Sequence, residues 1–317
     1  MAEDPMGVRW LARSLGALAA WAATTEVLVA PKPGLVDPLD RGAHLDMDWV
    51  TFLHSSSALA PLWEEQAMAG LLGLQGEEAL KAMRPVGLRM EEAMFKATGG
   101  VNTHKGLIFA LSLWLYGAGR CAREGRPPEP KEVAFRAAEP VMGAVDRELR
   151  PLKEGRLPGR ELTHGERLYL EHGVTGIRGE AEGGFPTVVR HICPTISGWL
   201  SRGATLNDAS IAGLLAAMGT CQDSNVIHRG GYQLWRGPYR EAALRALGEF
   251  DPLAGDYSPI LRLDLRLKEL RVSPGGAADL LACGLFALGL RRHLVDNPKI
   301  VNYNFDLHRI DRRGVMS

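Results

Sequence analysis

The sequence has no surplus of either charge: 37 Lys and Arg stand against 37 Asp and Glu. A domain that grips nucleic acid shows a basic excess or stripe, so nucleic acid is not the expected partner. Cysteine is scarce. Cys121, Cys193, Cys221 and Cys283 lie far apart with no C-x-x-C pair, which argues against a zinc site or a disulfide framework. Each sits in an apolar stretch and reads as a small buried hydrophobe in a reducing compartment. Long apolar runs are missing too. The uncharged runs 106–119 and 280–290 fall short of the roughly 20 residues that cross a bilayer as a helix, so no membrane is expected. Arg9, Arg13 and the apolar stretch 14–25 imitate a signal peptide. Glu3 and Asp4 spoil its charged region and no clear cleavage site follows. The expectation is an N-terminal helix packed on the core of a cytoplasmic protein. Alternating strand patterns are nearly absent. Residues 188–192 are the one serious β candidate, and Pro186 before them suits a helix start equally well.

What is present is helical periodicity. Val8, Leu11, Leu15, Leu18, Ala19 and Ala22 recur at spacings of three and four and line one face. Residues 49–72 read as a helix kinked near Pro61, and 77–97 as another disturbed at Pro85. The stretch 106–123 is apolar nearly all round and so predicted to be central. Residues 132–149 follow with Pro140 inside. Thr205-Leu206-Asn207-Asp208 resembles a capping box with Asp in place of Glu, and opens a helix through 211–218. Segments 238–250, 259–272 and 277–294 complete the set. Residues 125–130 and 149–158 read as surface loops. A chain of 317 residues can bury a large core. The predicted fold is all-α: a single-domain multi-helix bundle over 1–296, with active-site loops between helices and an irregular tail over 297–317.

Between the helices lie five polar loops. The first is Pro31-Lys32-Pro33-Gly34-Leu35-Val36-Asp37 with Gly42-Ala43-His44-Leu45-Asp46-Met47. The second runs from Thr98, Gly99 and Gly100 through Asn102, His104, Lys105 and Gly106. The third is Gly176-Ile177-Arg178-Gly179-Glu180-Ala181-Glu182-Gly183-Gly184-Phe185-Pro186. The fourth is Asp223-Ser224-Asn225-Val226-Ile227-His228-Arg229-Gly230-Gly231, and the fifth Ser273-Pro274-Gly275-Gly276-Ala277-Ala278-Asp279. Several run from a Gly-rich turn into an apolar helix. Glycine lets backbone amides approach a ligand, and the helix start offers unpaired N–H groups and partial positive charge, a natural phosphate site. The second and fifth loops fit best. A single Gly-Gly turn is usually only a turn, and the second loop lacks the Gly-Lys-Ser/Thr ending of a Walker A motif. The set as a whole carries the reading.

Lys32, Lys105, Arg178 and Arg229 are candidates for phosphate. Asp37, Asp46, Asp223, Glu180 and Glu182 are candidates for holding Mg²⁺ or moving protons. Glu180 and Glu182 diverge if helical and share a side if extended. His104, beside Lys105, is a candidate acid/base. The remaining histidines outside the loops (His54, His164, His172, His191, His293 and His308) read as surface or satisfied core. From the residues alone an ATP-dependent phosphotransferase, a non-catalytic nucleotide-binding protein and a metal-dependent hydrolase built on His44 and Asp46 all stay open.

Taken in order, these segments resemble one family, the triphosphoribosyl-dephospho-CoA synthases (CitG/MdcB). The resemblance covers roughly residues 8–290. Ser224 departs from it where threonine is common, and Gly183-Gly184 where a small residue precedes the glycine or aromatic. It implies a helical cytoplasmic enzyme that joins ATP to 3′-dephospho-CoA with loss of adenine. The product, 2′-(5″-triphosphoribosyl)-3′-dephospho-CoA, passes to a phosphoribosyl-dephospho-CoA transferase acting on the acyl carrier subunit of citrate lyase or malonate decarboxylase. Substitution at a ribose anomeric carbon implies an oxocarbenium-like transition state, by analogy with glycoside chemistry. On this resemblance Glu180 or Glu182 is the expected base and His104 a proton donor or orienter. Lys32, Gly99, Gly100, Asn102, Lys105, Arg178, Asn225, Arg229, Gly275 and Gly276 are expected to bind substrate phosphates, and Asp37, Asp46 and Asp223 to hold Mg²⁺. A homodimer is permitted by the neutral charge and apolar helices without being required.

Overall fold

The computed structural model describes residues 5–156 and 159–290, and the predicted tail over 297–317 lies outside them. Among the described residues every regular element is helical: α1 (Pro5–Leu28), α2 (Trp49–Leu59), α3 (Trp63–Leu71), α4 (Gly76–Ala97), α5 (Lys105–Arg123), α6 (Pro130–Ala138), α7 (Arg150–Lys153), α8 (His164–His172), α9 (Gly176–Glu182), α10 (Cys193–Ser201), α11 (Leu206–Thr220), α12 (Ser224–Gly230), α13 (Tyr232–Leu234), α14 (Arg240–Glu249), α15 (Ser258–Glu269) and α16 (Gly275–Leu290). None is long and apolar enough to cross a membrane.

The hydrophobic stripe of α1 does what its spacing predicts. Leu11, Leu15, Leu18, Ala19 and Ala22 are buried and Val8 packs at the edge of the same core. α1 lies on α3 and α16, and α5 is enclosed by α3, α6 and α16. Its residues from Leu107 to Ala122 are buried with the single exception of Phe109. The helices around α5 come close because glycine stands at the crossings. A Cβ on Gly70 would lie 2.1 Å from the Tyr116 carbonyl oxygen, and one on Gly117 would lie 2.3 Å from that of Val133. A second layer of α10, α11, α14 and α15 packs beside this one. The four cysteines are free and buried, as their apolar settings imply.

The prolines act according to their surroundings. Pro61 breaks 49–72 through a 3₁₀ turn at Ala60–Leu62, and Pro140 ends α6 in another at Glu139–Val141. Pro85 leaves α4 continuous. It lies on the exposed side, where water satisfies the carbonyl one turn earlier that proline cannot bond. One open alternative is decided and one expectation needs correction. Residues 188–192 form no strand: Val188–Ile192 is a π-helical turn leading into α10, with Val188 and Ile192 buried. Positive φ at Gly184 and Phe185 reverses the chain just before it, so Pro186 serves as a helix start. The stretch 149–158 is not simply a surface loop either, because α7 occupies part of it and Leu149 and Leu152 are buried. At Thr205 the N-cap forms, though without the box's return bond to the Thr205 amide. Its Oγ1 accepts the Asp208 amide at 3.1 Å and donates to Asp208 Oδ2 at 2.6 Å.

Candidate active site

All five polar loops open onto one cavity of about 630 Å³. The long helices α5 and α16 both begin at its wall, so their positive dipole ends lie beside the interior. α9 and α12 contribute side chains from the other side.

The floor is buried and ionisable. Lys32 Nζ donates to Glu26 Oε1 at 2.6 Å and to the Glu26 carbonyl at 2.7 Å, and both side chains are almost fully enclosed. His104 is 2% exposed, with Phe52 edge-on to its ring. Its Nδ1 lies 2.7 Å from Ser55 Oγ, whereas its buried Nε2 has no hydrogen-bond partner. Burial, helped by the Lys32 charge, pushes its pKa down to about 3, so the ring is neutral at working pH. Glu180 accepts the Thr187 amide at 2.7 Å and the Thr187 hydroxyl at 3.1 Å. Burial raises its pKa against the pull of those two donors.

The rim is more open. His44 Nε2 is 2.8 Å from Ser273 Oγ, and its pKa is lowered by burial and by Arg229. Asp46 lies 3.7 Å from His44 Nδ1 with its carboxylate largely exposed. Arg229 approaches the same imidazole at 3.5 Å and has no carboxylate partner among the described residues. Lys105 is paired with Glu91 at 2.8 Å, and the Asn102 side chain accepts the Lys105 amide at 3.2 Å.

Of the residues expected to form the site, Lys32, Asp46, Asn102, His104, Lys105, Glu180, Asn225, Arg229, Gly275 and Gly276 line the cavity. The others stand behind or beside it. Glu182 diverges from Glu180 because the segment is helical, and accepts the amides of Gly143 and Val145 at 3.0 and 2.8 Å. Arg178 turns to Glu148 at 3.1 Å. Gly99 and Gly100, both at positive φ, make the reversal that leads into α5. Asp37 closes its own loop, taking the amides of Lys32, Leu39 and Asp40. Asp223 caps α12 through the Asn225 and Val226 amides and reaches across to the Ala277 amide at 2.9 Å. Even with those donors, burial lifts its pKa to about 6. Among the described residues no three His, Cys, Asp or Glu are grouped to hold a metal ion.

Several lining residues escaped the sequence reading. Glu26 does line the cavity, and its signal was its spacing after Ala19, Ala22 and Ala23, which puts a carboxylate on a buried stripe. Asp279, the one charge in the apolar α16, lines it too. His164 is neither plain surface nor core. It lies in the cavity wall, edge-on to His228 with ring centroids 3.8 Å apart.

Helix starts, a free arginine and buried acids around one enclosed space define a helical enzyme site suited to phosphorylated ligands. Residues 12–298 match the CitG family, described as ATP:dephospho-CoA triphosphoribosyl transferase, and the chain belongs to that transferase family. It is 39% identical over 271 residues, 84% of this chain and 87% of the relative, to the probable 2-(5″-triphosphoribosyl)-3′-dephosphocoenzyme-A synthase of Citrobacter koseri. No solved structure matches it.

Proposed function

We propose that this protein transfers the triphosphoribosyl group of ATP to the 2′-hydroxyl of 3′-dephospho-CoA and releases adenine. The observation that carries this reading is the convergence of the five loops on one cavity with the starts of both α5 and α16 in its wall. ATP brings a triphosphate and dephospho-CoA a diphosphate, and the positive ends of two helices attract both while Arg229, Lys105, Asn102 and Asn225 offer donors. Glu180 is the base for the attacking hydroxyl, since it combines burial with a raised pKa. The neutral His104 orients substrate through Nε2.

The protein residues do not by themselves fit a Mg²⁺ cage, because Asp37 and Asp223 are occupied by backbone amides. Asp46 is the expected ligand whose carboxylate stays exposed, and it would hold a Mg²⁺ carried by the triphosphate, an ion that would supply charge neutralisation there. Asp37, Asp223 and Glu182 shape the loops that carry the other groups. A cytoplasmic location belongs to this reading, since ATP is the substrate and the four cysteines are free. So does delivery of the product to a phosphoribosyl-dephospho-CoA transferase acting on an acyl carrier subunit.

The test is incubation with ATP, Mg²⁺ and dephospho-CoA, followed by mass spectrometry. Free adenine with triphosphoribosylated dephospho-CoA is expected. ADP or AMP in place of adenine overturns the reading in favour of a phosphotransferase.

A further inference from the structure

Displacement at the anomeric carbon involves two proton events: the attacking hydroxyl loses one, and the departing base needs one. Glu180 serves the first. His104 does not suit the second, because a ring with a pKa of about 3 is a hydrogen-bonding group and not an acid at neutral pH.

One cavity group remains unused. Asp279 stands in the first turns of α16 and lines the cavity. Two other buried carboxylates lie near it in unlike settings, Glu26 in the cavity wall and Asp223 behind it. Glu26 is neutralised by Lys32 at 2.6 Å. Asp223 is held by backbone amides on both oxygens. Asp279 has no cation at ion-pair distance and no side-chain donor among the described residues. Its Oδ2 packs so closely on the start of α5 that a Cβ on Gly106 would lie 2.1 Å away.

We propose that Asp279 is a further catalytic residue, a carboxylic acid that gives its proton to a ring nitrogen of the departing base. This inference rests on the triphosphoribosyl-transfer reading. As the C1′–N9 bond of ATP breaks, its electron pair stays with the base. The Asp279 O–H proton moves to a base nitrogen and leaves a carboxylate. Glu180 takes the hydroxyl proton as the new C1′–O bond forms. One proton is given and one taken, and both groups return through solvent once products leave. The surroundings favour the protonated form of Asp279. Burial and the like charges of Glu26 and Asp223 raise its pKa well above the carboxylate range, against the Leu107 amide. The groups facing it are Glu26 with Lys32 from the α1 side, the start of α5, Asp223 ahead of α12, and Cys283 one turn along α16, whose thiol is itself pushed up.

The experiment compares ATP with its N7-methyl analogue, whose base already carries positive charge and needs no proton to leave. With ATP, Asp279→Asn is expected to slow base release on the order of 10²–10⁴-fold. With the analogue the variant stays within about tenfold of wild type, whereas Glu180→Gln is slow on both. In the wild type, the alkaline fall of kcat seen with ATP disappears with the analogue, a readout that needs no variant to fold. Equal slowing of Asp279→Asn on both nucleotides, an unchanged rate with ATP, or an alkaline fall shared by both substrates overturns the assignment. A wild type that forms no triphosphoribosylated product removes the parent reading as well. A wild type that turns over beside an equally active Asp279→Asn removes this assignment alone.

Discussion

Ser55 Oγ sits 2.7 Å from His104 Nδ1, so the only ring nitrogen of His104 left without a partner is Nε2. A serine hydroxyl can donate to Nδ1 or accept from it, so either neutral tautomer keeps this bond. The first prediction concerns the proton that His104 refuses. Its folded pKa of about 3 lies below the ordinary histidine value of 6.5, so the unfolded chain binds a proton there that the folded chain does not. This contribution is intact above pH 6.5 and is lost as pH falls, at up to about 1.4 kcal/mol per pH unit, until the folded pKa near 3. Asp223 slopes the other way between the ordinary aspartate value of 3.8 and about 6, so wild type alone does not isolate the effect. The difference between wild type and His104→Gln does. Urea unfolding at about pH 7 and about pH 4.5 should show the variant gaining on wild type in acid. Parallel pH profiles would mean the ring is already charged in the fold.

Glu180 and Glu182 separate function from architecture two residues apart. Both Glu182 oxygens hold the 143–145 turn, while Glu180 faces the cavity. Glu180→Gln should keep the fold and lower kcat about 10²–10⁴-fold. Glu182→Gln keeps one acceptor and turns a donor toward the other amide. It should cost about 1–3 kcal/mol of stability and leave kcat within about tenfold. Thermal midpoints measured beside steady-state rates separate the two, and a kcat collapse in a stable Glu182→Gln protein would reverse the roles.

The pair also shows how far the sequence could be read. The loops could be picked out because glycine and charge cluster there, and their meeting at one cavity follows from the family order of the motifs. Helix against extended loop at 176–182 stayed open, and it decides which glutamate faces the ligand. Asp37 and Asp223 were counted as metal ligands because composition does not reveal that backbone amides already occupy them. Glu26 went unremarked because a lone carboxylate in an apolar helix declares itself only when Lys32, six residues on, is seen to fold back on it. At 188–192 a strand and a helix start suit the sequence equally, and chain reversal at Gly184 and Phe185 decides for the helix.

That folded-back contact supplies the third prediction. Lys32 and Glu26 are 3% and 5% exposed, so the pair is desolvated and removing one partner strands the other. Lys32→Met should cost about 3–5 kcal/mol. Lys32→Met combined with Glu26→Gln should recover part of that loss, because no unpaired charge remains buried. A double-mutant cycle by urea unfolding reads the coupling. Additive losses would show that the pair acts as two independent groups.

Arg229 and Lys105 both face the proposed phosphates, yet they differ in what they have to give. Lys105 Nζ is already 2.8 Å from Glu91 Oε2, so its charge is partly spent within the protein. Among the described residues Arg229 meets only His44, whose pKa is lowered, and its guanidinium is available to bind an anion through two parallel bonds. A charge-assisted hydrogen bond contributes about 1.5–3 kcal/mol. Arg229→Ala should therefore raise KM for at least one nucleotide about tenfold or more. Lys105→Ala should raise it by a smaller factor, and Glu91→Gln should lower it by freeing the Lys105 ammonium. The Arg229 effect should also shrink as salt is added, because this side chain is exposed and its attraction is screened. Initial rates over a range of each nucleotide at low and high salt measure all of this. A larger penalty at Lys105 than at Arg229 would mean that Glu91 releases the lysine when substrate arrives, and would move the main phosphate contact to the start of α5.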